Sequence, residues 1–152
     1  MQLHAQTLVF TALSLIVAGR AGVAQKVTVS GNPSLLRISN AVAGFDPTSV
    51  STSATTYSVT TPGRPDRTYT ITMQLNANMP GGVTLTATLA APPGATSLGA
   101  VALEVTARNV VAGIKKHTSA TQSITYALAA TAAAGIIPNS SRTVTLTVIQ
   151  SQ

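Results

Sequence analysis

His4, His117, Asp46, Asp66 and Glu104 are the whole supply of side chains that can exchange protons near neutral pH in this 152-residue sequence. Each type of chemistry they could perform sets a spacing. Glycoside hydrolysis needs two carboxyl groups roughly 5–9.5 Å apart. Asp46 precedes Pro47, and Asp66 stands between Pro65 and Arg67, so both read as turn residues. Glu104 falls on the polar phase of an alternating segment, where the default is solvent. A hydroxyl nucleophile needs a histidine base and a third group to orient the ring. His117 has Lys115 and Lys116 beside it and no carboxylate nearby in the chain. With no cysteine and three scattered acids, a metal ligand set is also missing. The expectation is a chain with no catalytic residue, no cofactor and no metal.

The basic residues offer a contact instead of a reaction. Arg108, Lys115, Lys116 and His117 read as one loop, Arg108–His117, and could gather at one end of the molecule. Arg64 and Arg67 form a smaller group. Nine Lys and Arg against three Asp and Glu give a formal charge of +6. Such a field attracts polyanions weakly. Nucleic-acid binding would want a denser basic stripe with aromatic platforms, and aromatic residues are only 3% here. With no tryptophan and all three tyrosines on apolar phases, an aromatic sugar-binding surface is poorly supported too.

The elements that must position these residues show a period of two. In Thr68–Leu75, Tyr69, Ile71, Met73 and Leu75 alternate with Thr68, Thr70, Thr72 and Gln74. Val83–Leu89 alternates in the same way, as do Val144, Leu146 and Val148 with their threonine neighbours. Successive side chains of a strand face opposite sides of its sheet, so this pattern predicts half-buried strands. Threonine suits the wet side, being β-branched with a hydroxyl. The same logic predicts strands at Gln25–Ser30, Leu35–Ser39, Thr55–Thr60, Ala100–Ala107, Ser123–Leu128 and Ser141–Gln150. Asn40–Ala54 reads as a long connection, and Ala127–Gly135 as strand running into loop.

All eight prolines fall between these segments, where a missing N–H harms no ladder. The expected fold is therefore all-β: an antiparallel immunoglobulin-like β-sandwich of about seven to eight strands. A membrane barrel would need aromatic girdles that five aromatic residues cannot supply. An ice-binding array of threonines would need a regular repeat, and none is present.

Residues 1–24 read as a secretory signal peptide. The apolar run Thr7–Ala18 is shorter than the roughly 20 residues of a spanning helix, and Gly22-Val23-Ala24 fits a small-x-small cut before Gln25. Removal would leave residues 25–152 as one domain, with eight basic and three acidic residues and no membrane span. The address implied is secreted, periplasmic or cell surface.

The signal segment, the Thr/Val strands and the last strand SRTVTLTVIQ (Ser141–Gln150) together resemble exported bacterial immunoglobulin-like sandwiches of the fimbrial-subunit and spore-coat-U type. Fimbrial subunits often carry a cysteine pair, absent here, and Gln25–Ser30 stops at Gly31-Asn32-Pro33, short of a donor segment. The resemblance implies a structural or surface-assembly role in the cell envelope. The expected partners are the chain itself or other envelope proteins, met through the terminal strands as sheet edges or by face packing. The alternative is a monomeric binding module taking anionic or carbohydrate ligands on the loops Ala90–Leu98 and Arg108–His117.

Overall fold

Alternation turns into paired sheets in the computed structural model, which describes residues 25–33, 35–40, 42, 44–62, 66–115 and 121–151. The strands are β1 (Lys26–Ser30), β2 (Val50–Thr60), β3 (Thr68–Leu75), β4 (Val83–Leu89), β5 (Thr96–Ser97), β6 (Val101–Ala102), β7 (Arg108–Ile114), β8 (Gln122–Ala130) and β9 (Val144–Ser151). A single 3-10 turn, Ala132–Ala134, follows β8. The segment read as a signal peptide lies outside the described residues, as do Arg64, Lys116 and His117. No helix among the described residues is long and apolar enough to cross a membrane.

Two antiparallel sheets face each other, in the orders β1-β2-β8-β4-β6 and β5-β7-β3-β9. The chain is the all-β sandwich that the alternation predicts, with nine strands among the described residues. Of its consecutive strands only β1 and β2 are neighbours. From β2 onward every connection crosses to the other sheet, so β2-β8-β4-β6 wraps against β3-β7-β5 as in a jelly roll. The apolar phases meet in one core. Ile71, Met73, Leu85, Leu89, Val110, Val111, Ile114, Ile124 and Leu128 are buried there, together with Tyr57, Tyr69 and Tyr126. The three tyrosines thus point inward, as their phases require.

The structure corrects several boundaries. Leu35–Ser39 forms no strand, although Leu36 is buried and Ile38 packs on the core. β1 already occupies the outer edge of β2, so this segment keeps its apolar phase without a ladder. Ala100–Ala107 forms a strand only at Val101 and Ala102, paired with β4. Beyond them the chain changes sheets: Leu103 N–H donates to the Leu85 carbonyl at 2.8 Å, and the Glu104 carbonyl accepts from Leu75 N–H at 2.7 Å. Residues 50–54, expected in a connection, belong to β2, which reaches them through a register shift between Thr52 and Thr55.

The loop expected at Arg108–His117 is strand β7 as far as Ile114. Two register shifts against β3 disguise it. They bury the adjacent residues Val110 and Val111 together, which a period of two forbids. Gly113 sits at one shift with φ +73°, a left-handed backbone that bulges assign to glycine. At the other end of the chain Gly31 has φ +78°, and an added Cβ would lie 2.6 Å from the Ala54 carbonyl oxygen. Glycine is required there for β1 to turn away so close to β2.

Threonine is not always wet. Thr70 and Thr72, on the outer phase of β3, are each only 6% exposed. The Thr70 hydroxyl pairs with that of Ser151, and Thr72 donates to the Thr147 carbonyl at 3.4 Å. Thr55 is the opposite case: it lies inward at 1% exposure, and its hydroxyl has no partner among the described residues. A buried hydroxyl without a hydrogen bond costs free energy that an isosteric methyl does not. Thr55→Val is therefore expected to stabilise the fold by about 1 kcal/mol, read as a higher melting temperature. A lower one would refute the assignment.

Candidate functional site: sheet edges and a hydroxyl face

Among the residues singled out for chemistry, Asp66 and Glu104 stand at opposite ends of one strand. Asp46 accepts a hydrogen bond from Ala132 N–H at 2.7 Å, tying its loop to the 3-10 turn. Glu104 lies 3.7 Å from Arg108, with both side chains about half exposed, a pairing worth at most about 1 kcal/mol. Asp66 is exposed just before β3, whereas Glu104 meets Leu75 at the far end of that strand. Eight residues of strand separate their levels by roughly 25 Å, far beyond a glycosidase pair. Among the described residues no group of three or more His, Cys, Asp and Glu could hold a metal.

Of the four basic-patch residues, two are described. Arg108 opens β7 and Lys115 follows its last residue. An extended strand of that length sets them about 20 Å apart. Lys116 and His117 lie outside the described residues. Lys115 is fixed through its backbone, its carbonyl accepting from the Thr61 hydroxyl at 2.6 Å.

Sheet edges are the more distinctive feature. Four strands are outermost: β1 and β6 in one sheet, β5 and β9 in the other. β5 and β6 are two residues long, and very short edge strands offer little to pair with. The terminal strands β1 and β9 both lie at edges, and they approach within 8 Å of each other between Cα atoms on the same flank. β1 is five residues with one charge, Lys26. β9 is eight residues, VTLTVIQS, with no charge and no proline.

β9 is held firmly on one side only. It pairs with β3 without a shift from Val144↔Leu75 to Ser151↔Thr68. Asn76 closes the pairing, its N–H donating to the Thr143 carbonyl at 3.0 Å and its Oδ1 accepting from Thr143 N–H at 2.9 Å. Arg67 Nη1 donates to Gln150 Oε1 at 2.8 Å near the opposite end. The Asn76–Thr143 bond sets the phase of an antiparallel ladder. Residues 145, 147 and 149 then turn their backbone groups toward β3, and Leu146, Val148 and Gln150 turn theirs outward. Among the described residues no strand pairs with that outward row.

The second feature is the outer face of the five-stranded sheet. Its outward residues follow from burial and register. They are Lys26, Thr28 and Ser30 on β1, opposite Thr60, Ser58 and Thr56 on β2. β8 contributes Ser123, Thr125, Ala127 and Ala129. The last two stand opposite Thr86 and Thr84 of β4, and Thr125 stands opposite Thr88. Ala102 of β6 completes the row through Thr86. Among the described strand residues, every side chain on this face is Ser, Thr or Ala, except Lys26 at one corner.

Sequence reasoning placed the terminal strands at the edges but had no means of seeing this face. The signal was present in the outward letters of each strand, and only the strand order sets them side by side. No known protein family, curated protein or solved structure matches the chain.

Proposed function

We propose that the chain is an exported structural protein of the bacterial cell envelope that associates with further copies of itself, each new strand adding to the free edge of β9. One observation carries this reading. β9 is an eight-residue edge strand without charge, proline or bulge, the devices by which sheet edges avoid unwanted pairing. An edge left open in this way is a template for strand addition, in which main-chain hydrogen bonds supply affinity. The apolar segment at residues 7–18 and the small residues before Gln25 support export. The scattered carboxylates and the separated Arg108 and Lys115 favour neither a reaction nor a basic binding loop.

Light scattering across concentration tests it, with electron microscopy of the same samples. The expected result is particle growth with concentration. Ile149 is 43% exposed on the outer phase of β9, so Ile149→Lys places a cation on the docking edge and leaves the β3 ladder intact. Val148→Pro removes an N–H that β3 does not use. Each is expected to reduce association at least tenfold. A protein that stays monomeric, or variants that grow like the unaltered chain, would overturn the reading. Salt-sensitive binding to a glycan or polyanion array by a monomer would favour the binding module instead.

A further inference from the structure

We propose that the outer face of the five-stranded sheet is a second contact between copies, packed face against face. This rests on the chain being a self-associating subunit, but it uses a different surface from the β9 edge.

Charge is the first argument. Residues 25–152 carry eight basic against three acidic side chains, so two copies repel wherever their cations meet. Arg37, Arg67, Arg108, Lys115 and Arg142 lie on loops, rims or the other sheet. Among the described cations, the outer face of the five-stranded sheet holds Lys26 alone, at a corner. It is a broad surface on which two copies can meet without bringing cation onto cation. Added salt is therefore expected to strengthen association by screening the remaining repulsion.

Size and chemistry agree with a second copy as the occupant. The five strands hold 34 residues between them, and at about 4.8 Å by 3.3 Å per residue they make a face of roughly 540 Å². Two such faces bury about 1,000 Å², the level at which specific interfaces begin. Alanine loses no rotamer freedom on burial. Threonine and serine hydroxyls both donate and accept, so a face of hydroxyls is complementary to its own copy. The half-buried Thr86 hydroxyl already points back to the Ala127 carbonyl, at 3.4 Å. The face holds no aromatic ring for a sugar to stack on and no bulky apolar side chain to enter a lipid layer.

The two contacts build differently. Strand addition at β9 lengthens a sheet, whereas face packing doubles it, so the expected assembly is two copies wide. The chain has no cysteine, which makes a single introduced thiol a clean reporter. Thr125→Cys, near the middle of the face, is expected to form a covalent dimer when oxidised glutathione converts two facing thiols to a disulfide. Thr86→Lys is expected to weaken association at least tenfold and to leave assemblies one copy wide, with an unchanged circular dichroism spectrum. Thr86→Ser is expected to associate normally. Absence of the cross-link at concentrations where the unaltered protein is assembled would overturn the proposal, as would normal width and growth of Thr86→Lys. If Thr86→Lys disrupts assembly and Ile149→Lys does not, the face stands and the edge reading falls. The reverse outcome keeps the edge and removes the face. A protein monomeric throughout removes both.

Discussion

Between pH 10 and pH 12 the protein is expected to lose on the order of 4 kcal/mol of stability. Two phenols are the cause. Tyr57 is 1% exposed, and its hydroxyl donates to the Ala90 carbonyl at 2.6 Å. Burial pushes it up to about 12 from the ordinary value of 10.0. Burial pushes Tyr126 up further. In both cases the folded protein holds the proton more tightly than the unfolded chain. The stabilisation is complete below pH 10 and is lost as pH rises through the folded value. For Tyr57 alone the loss reaches about 2 kcal/mol by pH 12. Ionisation would also replace the donated hydrogen bond with an oxyanion facing a carbonyl oxygen. Small domains have only about 5–15 kcal/mol in total, so cooperative alkaline unfolding should be visible. Urea midpoints from pH 8 to pH 12 measure it. The doubly substituted Tyr57→Phe, Tyr126→Phe chain should start less stable and show a flatter decline. An unaltered protein with a constant midpoint to pH 12 would contradict the argument.

Those tyrosines also show what the sequence made legible. A period of two assigned Tyr57, Tyr69 and Tyr126 to the core, and each is buried. The same period located β3, β4, β8 and β9, where the ladders run with few interruptions. It failed at β7, because two bulges and Gly113 break the alternation that identifies a strand. That failure carried into the site. Read as loop, Arg108–His117 brings its cations together; as strand, it holds Arg108 and Lys115 apart. At Leu35–Ser39 the period marked burial correctly and pairing wrongly, since burial of alternate side chains does not require a ladder.

Strand order is the part no local pattern carries. β2 pairs with β8, and Thr56 meets Ser123 across a long stretch of intervening chain. Nothing in either segment names the other. The candidate surfaces divide along this line. That Ser141–Gln150 was prone to pairing could be argued from its lack of proline and its single charge. The Ser/Thr/Ala face could not, because it exists only once β1, β2, β8 and β4 stand in that order. Outward threonines also differ in ways their letters do not show: Thr70 and Thr72 of β3 are nearly buried beside β9, whereas Thr84 of β4 is exposed.

Leu85→Ala and Ile71→Ala are each expected to cost about 3–4 kcal/mol, whereas Thr84→Ala should change stability by no more than about 0.5 kcal/mol. Leu85 and Ile71 are fully buried, one on the inner face of each sheet. Leu85 stands opposite Leu128 in the β4–β8 pairing, and Ile71 opposite Val148 in β3–β9. Truncation at either site removes apolar contact and leaves a cavity that two packed sheets cannot readily close. Thr84, one residue from Leu85, faces solvent, so its side chain loses little. The comparison of neighbours matters more than either value, because adjacent residues share the same backbone and differ only in phase. Urea unfolding should show lower midpoints for the two core variants with little change in slope, the signature of altered stability in an unaltered fold. Equal losses at Thr84 and Leu85 would mean that β4 does not divide core from solvent, and both proposed contact surfaces, which depend on that division, would lose their footing.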